Sequence, residues 1–209
     1  MGTRERKERD LETRKQLIID KSRELFFENE FDAVTIEDIC DAVEYGRSAI
    51  YSLFKSKEDI YAYVYLQGLK ILTKMYNEIN LEAKDIDGEF IKSAEIMYDF
   101  YRKERPYFKA LFYFNTKNLL ISKISPEILS LKEAQIKKTA EPIAGLLHRG
   151  IEEGYFKNIE IEETIYLFRT SLIGVIWSFI HRDDEAEQSK VRGYCLRHAE
   201  IYLEGIKKR

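Results

Sequence analysis

The sequence predicts an all-α protein, and two observations support this fold class. Its 209 residues include only 3 prolines and 10 glycines, whereas 34% are charged and 44% are hydrophobic, a composition typical of helices. Apolar residues also recur at helical spacing between capping residues and helix breakers, and no segment shows a convincing strand pattern. We therefore expect about nine helices.

The first four predicted helices are defined mainly by their caps. An amphipathic pattern with one apolar face ends near Asn29. Thr35 and Asp38 then have the spacing of a capping box, and Ser56 and Asp59 repeat it. The predicted helices cover residues 11–28, 35–42, 47–54 and 56–80.

Proline and glycine punctuation defines the other five helices. Pro106 and Pro126 fit the first position of a helix, and Gly154 stops a long one. These predicted helices cover residues 89–105, 106–115, 126–153, 162–181 and 184–207.

Charge, cysteine content and hydropathy limit the class of protein. A net charge of -3 disfavours a protein that coats nucleic acid through bulk positive charge, so any DNA contact must be local. Cys40 and Cys195 lack the spacing of a disulfide framework or a zinc site. The charged N-terminus lacks the apolar core of an export signal, and no apolar run is long enough to span a membrane. We expect a cytoplasmic protein without a membrane contact, metal or cofactor.

The two short helices at residues 35–42 and 47–54 are joined by a tight turn. This is the arrangement of a helix-turn-helix, whose second helix enters the major groove of DNA. An ordinary helical hairpin would have the same lengths. The residue types favour the helix-turn-helix, because apolar side chains supply a small core while short polar or basic side chains supply the opposite face. The predicted core residues are Ile36, Ile39, Cys40, Ile50 and Phe54.

Residues 35–61, which read TIEDICDAVEYGRSAIYSLFKSKEDIY, resemble the DNA-binding core of the TetR family of bacterial transcriptional regulators. The features that carry the resemblance are Thr35, Tyr51, Phe54 and the junction from Lys55 to Glu58. The resemblance implies a helix-turn-helix DNA-binding domain over residues 1–55 and an effector-binding and dimerisation domain over residues 56–209. It also implies the DNA-contacting residues Thr35, Arg47, Ser48, Ala49, Tyr51, Ser52, Lys55 and Lys57.

The turn between the two short helices departs from the family pattern. Members of the family commonly have glycine in the turn and serine before the basic residue, whereas this chain has Glu44 in the turn and Gly46 before Arg47. A carboxylate beside DNA costs binding unless it points away or accepts a hydrogen bond from a cytosine amine. The register of the second helix and the operator sequence therefore stay open.

Residues 96–114 are rich in phenylalanine and tyrosine. Such a mixture suits either a plain core or a cavity for a flat, apolar ligand. The resemblance favours a cavity, because the TetR family binds its effectors among the middle helices, and we expect a small hydrophobic or aromatic effector. The candidate lining residues are Tyr63, Met75, Tyr98, Tyr101, Phe108, Phe112, His148 and Phe168.

The last two predicted helices carry apolar stripes that suit a four-helix interface between two chains. The alternative is packing within one chain. The resemblance favours a homodimer, because this pair of helices dimerises in the family. The candidate interface residues are Ile173, Ile176, Trp177, Leu196 and Leu203.

An enzyme is the class with least support from the sequence. No glycine-rich phosphate loop, nucleophile elbow or His-Glu-x-x-His motif is present, and Cys195 with His198 supplies only two metal ligands. A helical small-molecule-binding protein without DNA function is the alternative to a regulator. Because such a protein needs no basic rim on a groove-sized helix, the set Arg47, Tyr51, Lys55 and Lys57 favours the regulator. We predict a ligand-responsive homodimer that binds double-stranded DNA at a palindromic operator, with repression as the default.

Overall fold

A computed structural model describes residues 3–116, 122–182 and 184–208 of the chain. These residues form nine helices, and their only β-type pairing is an isolated bridge between Phe156 and Lys207. The all-α prediction is confirmed. The helices are α1 (Thr3–Glu28), α2 (Ile36–Val43), α3 (Arg47–Tyr51), α4 (Lys57–Tyr76), α5 (Ile86–Lys103), α6 (Arg105–Thr116), α7 (Pro126–Glu152), α8 (Ile161–Trp177) and α9 (Glu185–Ile206).

Most helix boundaries follow the local signals in the sequence. Thr35 caps α2 and forms the predicted capping box with Asp38. The long helix α7 ends just before Gly154, whose φ of +72° is readily adopted only by glycine. Several ends differ from the prediction. Helix α1 begins eight residues earlier than residue 11, at Thr3, and α3 ends at Tyr51 rather than residue 54. Helices α4 and α8 end at Tyr76 and Trp177, before the predicted residues 80 and 181, and α5 begins at Ile86 rather than residue 89.

The chain divides into two compact units. The first, here called the N-terminal unit, comprises Met1–Gln67 and Tyr113–Glu133, and the second, the C-terminal unit, comprises Gly68–Phe112 and Ala134–Arg209. The N-terminal unit thus extends beyond the boundary predicted after residue 55. The division falls within helices α4, α6 and α7, so the course of these helices does not reveal it.

An aromatic cluster forms the core of the N-terminal unit beside the helix-turn-helix. The Tyr61 ring lies edge-on to Phe26, at 5.0 Å between centroids, and 4.8 Å from Phe31. Phe114 stacks on Tyr65 at 4.5 Å. Helix α1 packs against α2, and α2 packs against α3. The short helices are thereby supported by aromatic residues supplied from α1, α4 and the end of α6.

The core of the C-terminal unit is built from longer helices. Helix α9 packs against both α5 and α8. Their contacting faces bury large side chains, which favours folding through the removal of apolar surface from water. The fully or almost fully buried residues include Phe90, Phe100, Tyr101, Phe108, Leu172, Ile176, Val191 and Cys195.

Candidate nucleic-acid interface

The first short helix, α2, is held by its N-terminal cap. The Thr35 hydroxyl accepts a hydrogen bond from the Asp38 backbone N–H at 3.2 Å, and the Asp38 carboxylate accepts one from the Thr35 backbone N–H at 2.7 Å. The hydrogen bonds from Thr35 lower the pKa of Asp38. Thr35 is exposed, and its hydroxyl also donates to the Asp38 carboxylate at 2.7 Å, so a phosphate would have to replace Asp38 as the acceptor.

The turn between α2 and α3 depends on an unusual backbone conformation at Glu44. This residue has φ 57° and ψ 34°, in the left-handed region, and its N–H points to the carbonyls of Asp41 and Cys40 at the end of α2. The chain then extends through Gly46, with φ -68° and ψ 156°, and enters α3 at Arg47. This reversal sets the direction of the second helix.

Helix α3 has one buried side and one open side. Ile50 is fully buried, and together with Ile39 and Phe54 it forms the small core predicted for the two helices. Ile36 and Cys40, also predicted for this core, are only partly buried. The opposite side presents the four exposed residues Arg47, Ser48, Tyr51 and Ser52, while Ala49 is half-buried.

Tyr51 and Arg47 are the largest side chains on this open face. Half of the Tyr51 surface is exposed, although a large aromatic side chain is normally covered in a folded protein. Arg47 is also exposed and forms an ion pair with Glu37 of α2. An exposed pair of this kind contributes little to stability, so the guanidinium can exchange Glu37 for another anion at low cost.

The two lysines after α3 have different surroundings. Lys55 is exposed. The Lys57 ammonium instead donates to the backbone carbonyls of Phe31 and Val34, at 2.8 and 2.5 Å, and lies 4.2 Å from the centre of the Phe31 ring. Burial lowers the pKa of Lys57. This geometry disfavours the expected phosphate contact of Lys57, because two of its three N–H donors already serve carbonyls inside the N-terminal unit.

A buried carboxylate fixes the start of α4 next to these lysines. The Ser56 hydroxyl accepts a hydrogen bond from the Asp59 backbone N–H at 3.0 Å, as a capping residue does. The Asp59 carboxylate does not return to Ser56, as in a capping box, but accepts from the N–H groups of Lys55 and Ser125, at 3.0 and 2.8 Å. Asp59 thereby holds the backbone of Lys55 in place.

The helix-turn-helix region is similar to a known protein family. Residues 18–64 match the model of the bacterial regulatory proteins of the tetR family. Over these residues the chain is similar to the N-terminal domain of that family. The match spans α1, α2, α3 and the start of α4, which are the elements described above, and it confirms the resemblance stated from residues 35–61. No curated protein sequence matches the chain.

Solved structures with the same fold extend the likeness beyond this domain. A TetR family transcriptional regulator from Thermus thermophilus is 21% identical, with a TM-score of 0.66, and the alignment covers 91% of this chain and 99% of that one. The fatty acid degradation regulator of Bacillus halodurans is 15% identical, with a TM-score of 0.63 and coverage of 90% and 94%. The ketosteroid transcriptional regulator of Mycobacterium tuberculosis is 18% identical, with a TM-score of 0.60 and coverage of 94% and 96%. At these identities the likeness shows the fold alone.

The residues predicted to line an effector site are distributed over both units. Tyr63 belongs to the N-terminal unit, where its hydroxyl accepts a hydrogen bond from Lys15 at 2.6 Å. In the C-terminal unit, the Tyr101 ring lies 6.2 Å from Tyr98 and 5.3 Å from Phe108. The other predicted residues differ in burial: Phe168 is buried, Met75 and Phe112 are half-buried, and His148 is exposed.

A buried polar residue that the sequence did not single out joins this tyrosine pair. The Gln188 side-chain amide donates to the Tyr101 hydroxyl at 3.0 Å, and the Tyr98 hydroxyl donates to the Gln188 backbone carbonyl at 3.1 Å. Tyr98, Tyr101 and Phe108 are therefore the predicted effector residues that the structure brings together. Gln188 lies in a largely polar stretch at the start of α9, so only its tertiary contacts reveal its position.

The predicted dimer residues lie mostly in the core of the C-terminal unit. Ile173, Ile176 and Leu203 are buried within the single chain, and Trp177 and Leu196 are half-buried. Trp177 stacks on Phe112, with 3.6 Å between ring centroids. The apolar side chains that α8 and α9 expose are different ones, namely Tyr166, Leu167, Tyr194 and Ile201. They lie off the buried stripes. Only the packing of the helices identifies them, because periodicity alone does not tell which apolar side chains of a helix a neighbour covers.

The described residues were also compared with the requirements of a metal site and of a membrane span. Within the described part of the chain, no group of three or more histidine, cysteine, aspartate or glutamate side chains is arranged to hold a metal ion. Burial raises the pKa of the Cys195 thiol to about 12. Of the helices described, none combines the length and apolar character needed to cross a membrane.

Proposed function

We propose that the chain is a dimeric, ligand-responsive transcriptional repressor that binds a palindromic DNA operator. The open face of α3 is the observation that carries this proposal. On a helix anchored by Ile50, it presents Arg47, Ser48, Tyr51 and Ser52 to solvent. Such a face suits a major groove, where arginine reads guanine, hydroxyl groups contact bases or phosphates, and an aromatic ring packs on apolar base edges or sugars.

The proposed roles within this face differ. Arg47 would exchange Glu37 for a guanine edge or a phosphate. Lys55 and Thr35 would position the protein on phosphates, while Ser48, Ala49, Tyr51 and Ser52 would contact bases or the neighbouring sugars. Lys57 would act indirectly by holding the segment from Phe31 to Val34, to which it donates two hydrogen bonds.

The proposed homodimer uses the exposed side chains of the last two helices. Tyr166 is 59% exposed and Ile201 is 54% exposed, which leaves apolar surface on both α8 and α9. Gly174 is exposed and has no atom within 4 Å of the position that a Cβ would occupy, so a second chain could approach the α8 backbone closely there. Association about a twofold axis would cover these residues and present two α3 helices to successive major grooves, about 34 Å apart.

The proposed effector site centres on Tyr98, Tyr101 and Phe108. These three rings are buried, so an apolar or aromatic molecule would have to displace or part them to bind. Proteins of the same fold include a fatty acid degradation regulator and a ketosteroid transcriptional regulator. Binding would favour a state of the dimer whose two α3 helices no longer fit the operator. A decisive shift of this equilibrium requires about 5.5 kcal/mol of differential affinity.

Selection from a randomised duplex pool tests the proposal. The purified full chain is expected to enrich a palindrome, with an affinity that falls steeply as salt increases because bound phosphates release counterions. Tyr51→Ala should abolish the enrichment, and Tyr51→Phe separates the role of the ring from that of the hydroxyl. Lys55→Ala should reduce the salt slope by about one, whereas Lys70→Ala, an exposed lysine of the C-terminal unit, should not change it.

The alternative, a helical ligand-binding protein without DNA function, predicts a different result. The wild-type chain would then enrich no sequence and would bind no duplex even at low salt. One observation favours this alternative: residues 35–57 contain three basic and four acidic side chains. If the wild type and Tyr51→Ala select the same palindrome with the same affinity, the DNA contact lies elsewhere on the chain.

A further inference from the structure

Glu44 combines two unfavourable features at the entrance to α3. Among the described residues, it is the only one other than glycine with a positive φ. The left-handed conformation brings the Cβ of an L-residue close to its own backbone, and a long charged side chain gains nothing from it. Glu44 also lies three positions before Arg47, the first residue of the helix that would meet a polyanion.

No contact within the described part of the chain compensates for these features. Glu44 is exposed, and its carboxylate has neither a hydrogen bond nor an ion pair there, in contrast to Glu37, which pairs with Arg47. Gly46, by contrast, has φ -68° and nothing within 4 Å of a Cβ position, so other residues would fit there. The turn thus has glycine where any residue would fit and glutamate where glycine would fit best.

The left-handed conformation itself ends α2, because the Glu44 N–H points to the carbonyls of Asp41 and Cys40, but glycine would supply the same cap with less strain. A charged residue held in this conformation without a partner for its side chain points to a function in a complex. We propose that Glu44 is a specificity-determining residue that accepts a hydrogen bond from the exocyclic amine of a cytosine in each half of the operator. Residues at the N-terminal end of a recognition helix are the ones that reach base edges. In the major groove, cytosine presents an amine donor, and a carboxylate can accept from it.

The negative charge serves discrimination as well as contact. At a sequence without a cytosine at this position, the carboxylate would lie beside acceptor atoms and phosphates with no donor to satisfy it. Binding there is penalised, so Glu44 weakens non-specific binding more than operator binding. The proposal rests on the DNA-binding function proposed above and adds to it the base that one residue recognises.

Parallel selections with three proteins test this role. The wild-type chain, Glu44→Gly and Glu44→Gln are each selected against the same randomised pool, with Gly46→Ala as the neighbouring control. The wild type is expected to select cytosine at one position of each half-site, with a preference of about 5- to 150-fold over other bases. Glu44→Gly should lose this preference, bind random duplex more tightly, and unfold at a higher urea concentration.

Glu44→Gln separates the role of the carboxylate from the backbone strain. It removes the charge but keeps a β-carbon in the left-handed conformation, and a glutamine amide pairs with adenine rather than cytosine. The selected base is therefore expected to change toward adenine without a gain in stability. Gly46→Ala should leave the selected base unchanged.

Two outcomes distinguish failure of this role from failure of the proposed function. An operator selected equally by the wild type, Glu44→Gly and Glu44→Gln, with the same bases at every position, overturns the role of Glu44 and leaves the DNA-binding function intact. If the wild type selects no operator while all variants fold, the DNA-binding function itself is wrong, and the role of Glu44 with it.

Discussion

The surface of the helix-turn-helix and the surface of the last two helices differ in chemistry. The face of α3 exposes Arg47, two serines and a single aromatic ring, whereas α8 and α9 expose several aromatic and aliphatic side chains. A polar face with one ring is stable in water and suits contact with the hydrated phosphates and bases of DNA. An apolar face is stabilised only when another apolar surface covers it. One chain thus carries surfaces suited to two kinds of partner.

The two regions also differ in what holds them together. The short helices α2 and α3 bury few side chains and rely on the Thr35–Asp38 capping box and on Lys57, which ties the segment before α2 to the start of α4. The pair α8 and α9 instead buries continuous stripes, including Leu172, Ile176 and Val191. We therefore expect polar substitutions to have their largest effects in the first region and truncations of apolar residues in the second.

The largest expected effect on stability is that of Ile176→Ala in α8. Ile176 is fully buried, so the variant loses buried apolar area and leaves a cavity. The free energy of unfolding, measured by urea denaturation, should fall by about 2–5 kcal/mol. A change within about 0.5 kcal/mol, which is typical of surface positions, would contradict the assignment of Ile176 to the core.

Ile201→Asp provides the matched test on the exposed side of the same helix pair. The charge should leave the helix content measured by circular dichroism unchanged. It should also convert the dimer to monomer in sedimentation velocity, because an unpaired carboxylate would be buried between the two chains. A variant that remains dimeric would show that Ile201 lies outside the interface.

Lys57→Met tests the structural role of a residue that the sequence assigns to a phosphate contact. The thioether keeps much of the volume, but the carbonyls of Phe31 and Val34 lose a charged donor. The free energy of unfolding should fall by about 1.5–3 kcal/mol. If stability is unchanged and only the salt slope of operator binding falls, Lys57 contacts phosphate instead.

Arg47→Ala should weaken operator binding by about 1–3 kcal/mol, because one base or phosphate contact is lost. Its folding stability should stay nearly the same, since the pair with Glu37 is exposed. Fluorescence anisotropy with a labelled operator measures the affinity, and Lys70→Ala serves as the control. Equal affinity for the wild type and Arg47→Ala would remove Arg47 from the interface.

The smallest expected effect concerns pH and the C-terminal unit. His198 lies between Phe168 and Tyr202, and burial lowers its pKa from the usual 6.5. Below about pH 6.5 the unfolded chain binds a proton that the folded chain does not, so the free energy of unfolding falls as the pH decreases. Above this pH, His198 contributes no pH dependence.

Comparison of variants isolates this contribution from those of the carboxylates. The difference in unfolding free energy between the wild type and His198→Gln should become less favourable to the wild type as the pH falls below about 6.5. His148→Gln, at an exposed position, is the control. A difference that stays constant down to pH 5 would show that His198 is protonated equally in the folded and unfolded chains.

Local signals explain which elements of the fold were predictable. Thr35 and Asp38 interact within three residues of each other, and Gly154 stops α7 by its own conformation. The start of α2 and the end of α7 can therefore be predicted without tertiary structure. The open face of α3 was equally accessible, because Ile50 and Phe54, four positions apart, mark the buried side of the predicted helix 47–54. The early start of α1 was missed because its first residues are charged on all sides and show no amphipathic pattern.

Contacts between distant residues explain what could not be predicted. Lys57 meets carbonyl groups that lie 26 and 23 positions earlier in the chain, so its sequence neighbourhood indicates only a basic residue after α3. Ile176 and Ile201 are both apolar and helical, and only the packing of α8, α9 and α5 makes the first a core residue and leaves the second exposed.

The sequence by itself therefore determined the all-α class and the helix-turn-helix, because these depend on periodicity and on interactions within one or two helical turns. Its resemblance to the tetR family came from the residues of one segment, 35–61. Tertiary structure decided the inward direction of Lys57, the conjunction of Gln188 with Tyr98 and Tyr101, and the apolar residues left on the surface. These features depend on which helix faces meet, and helical periodicity gives the apolar face of each helix without naming its partner.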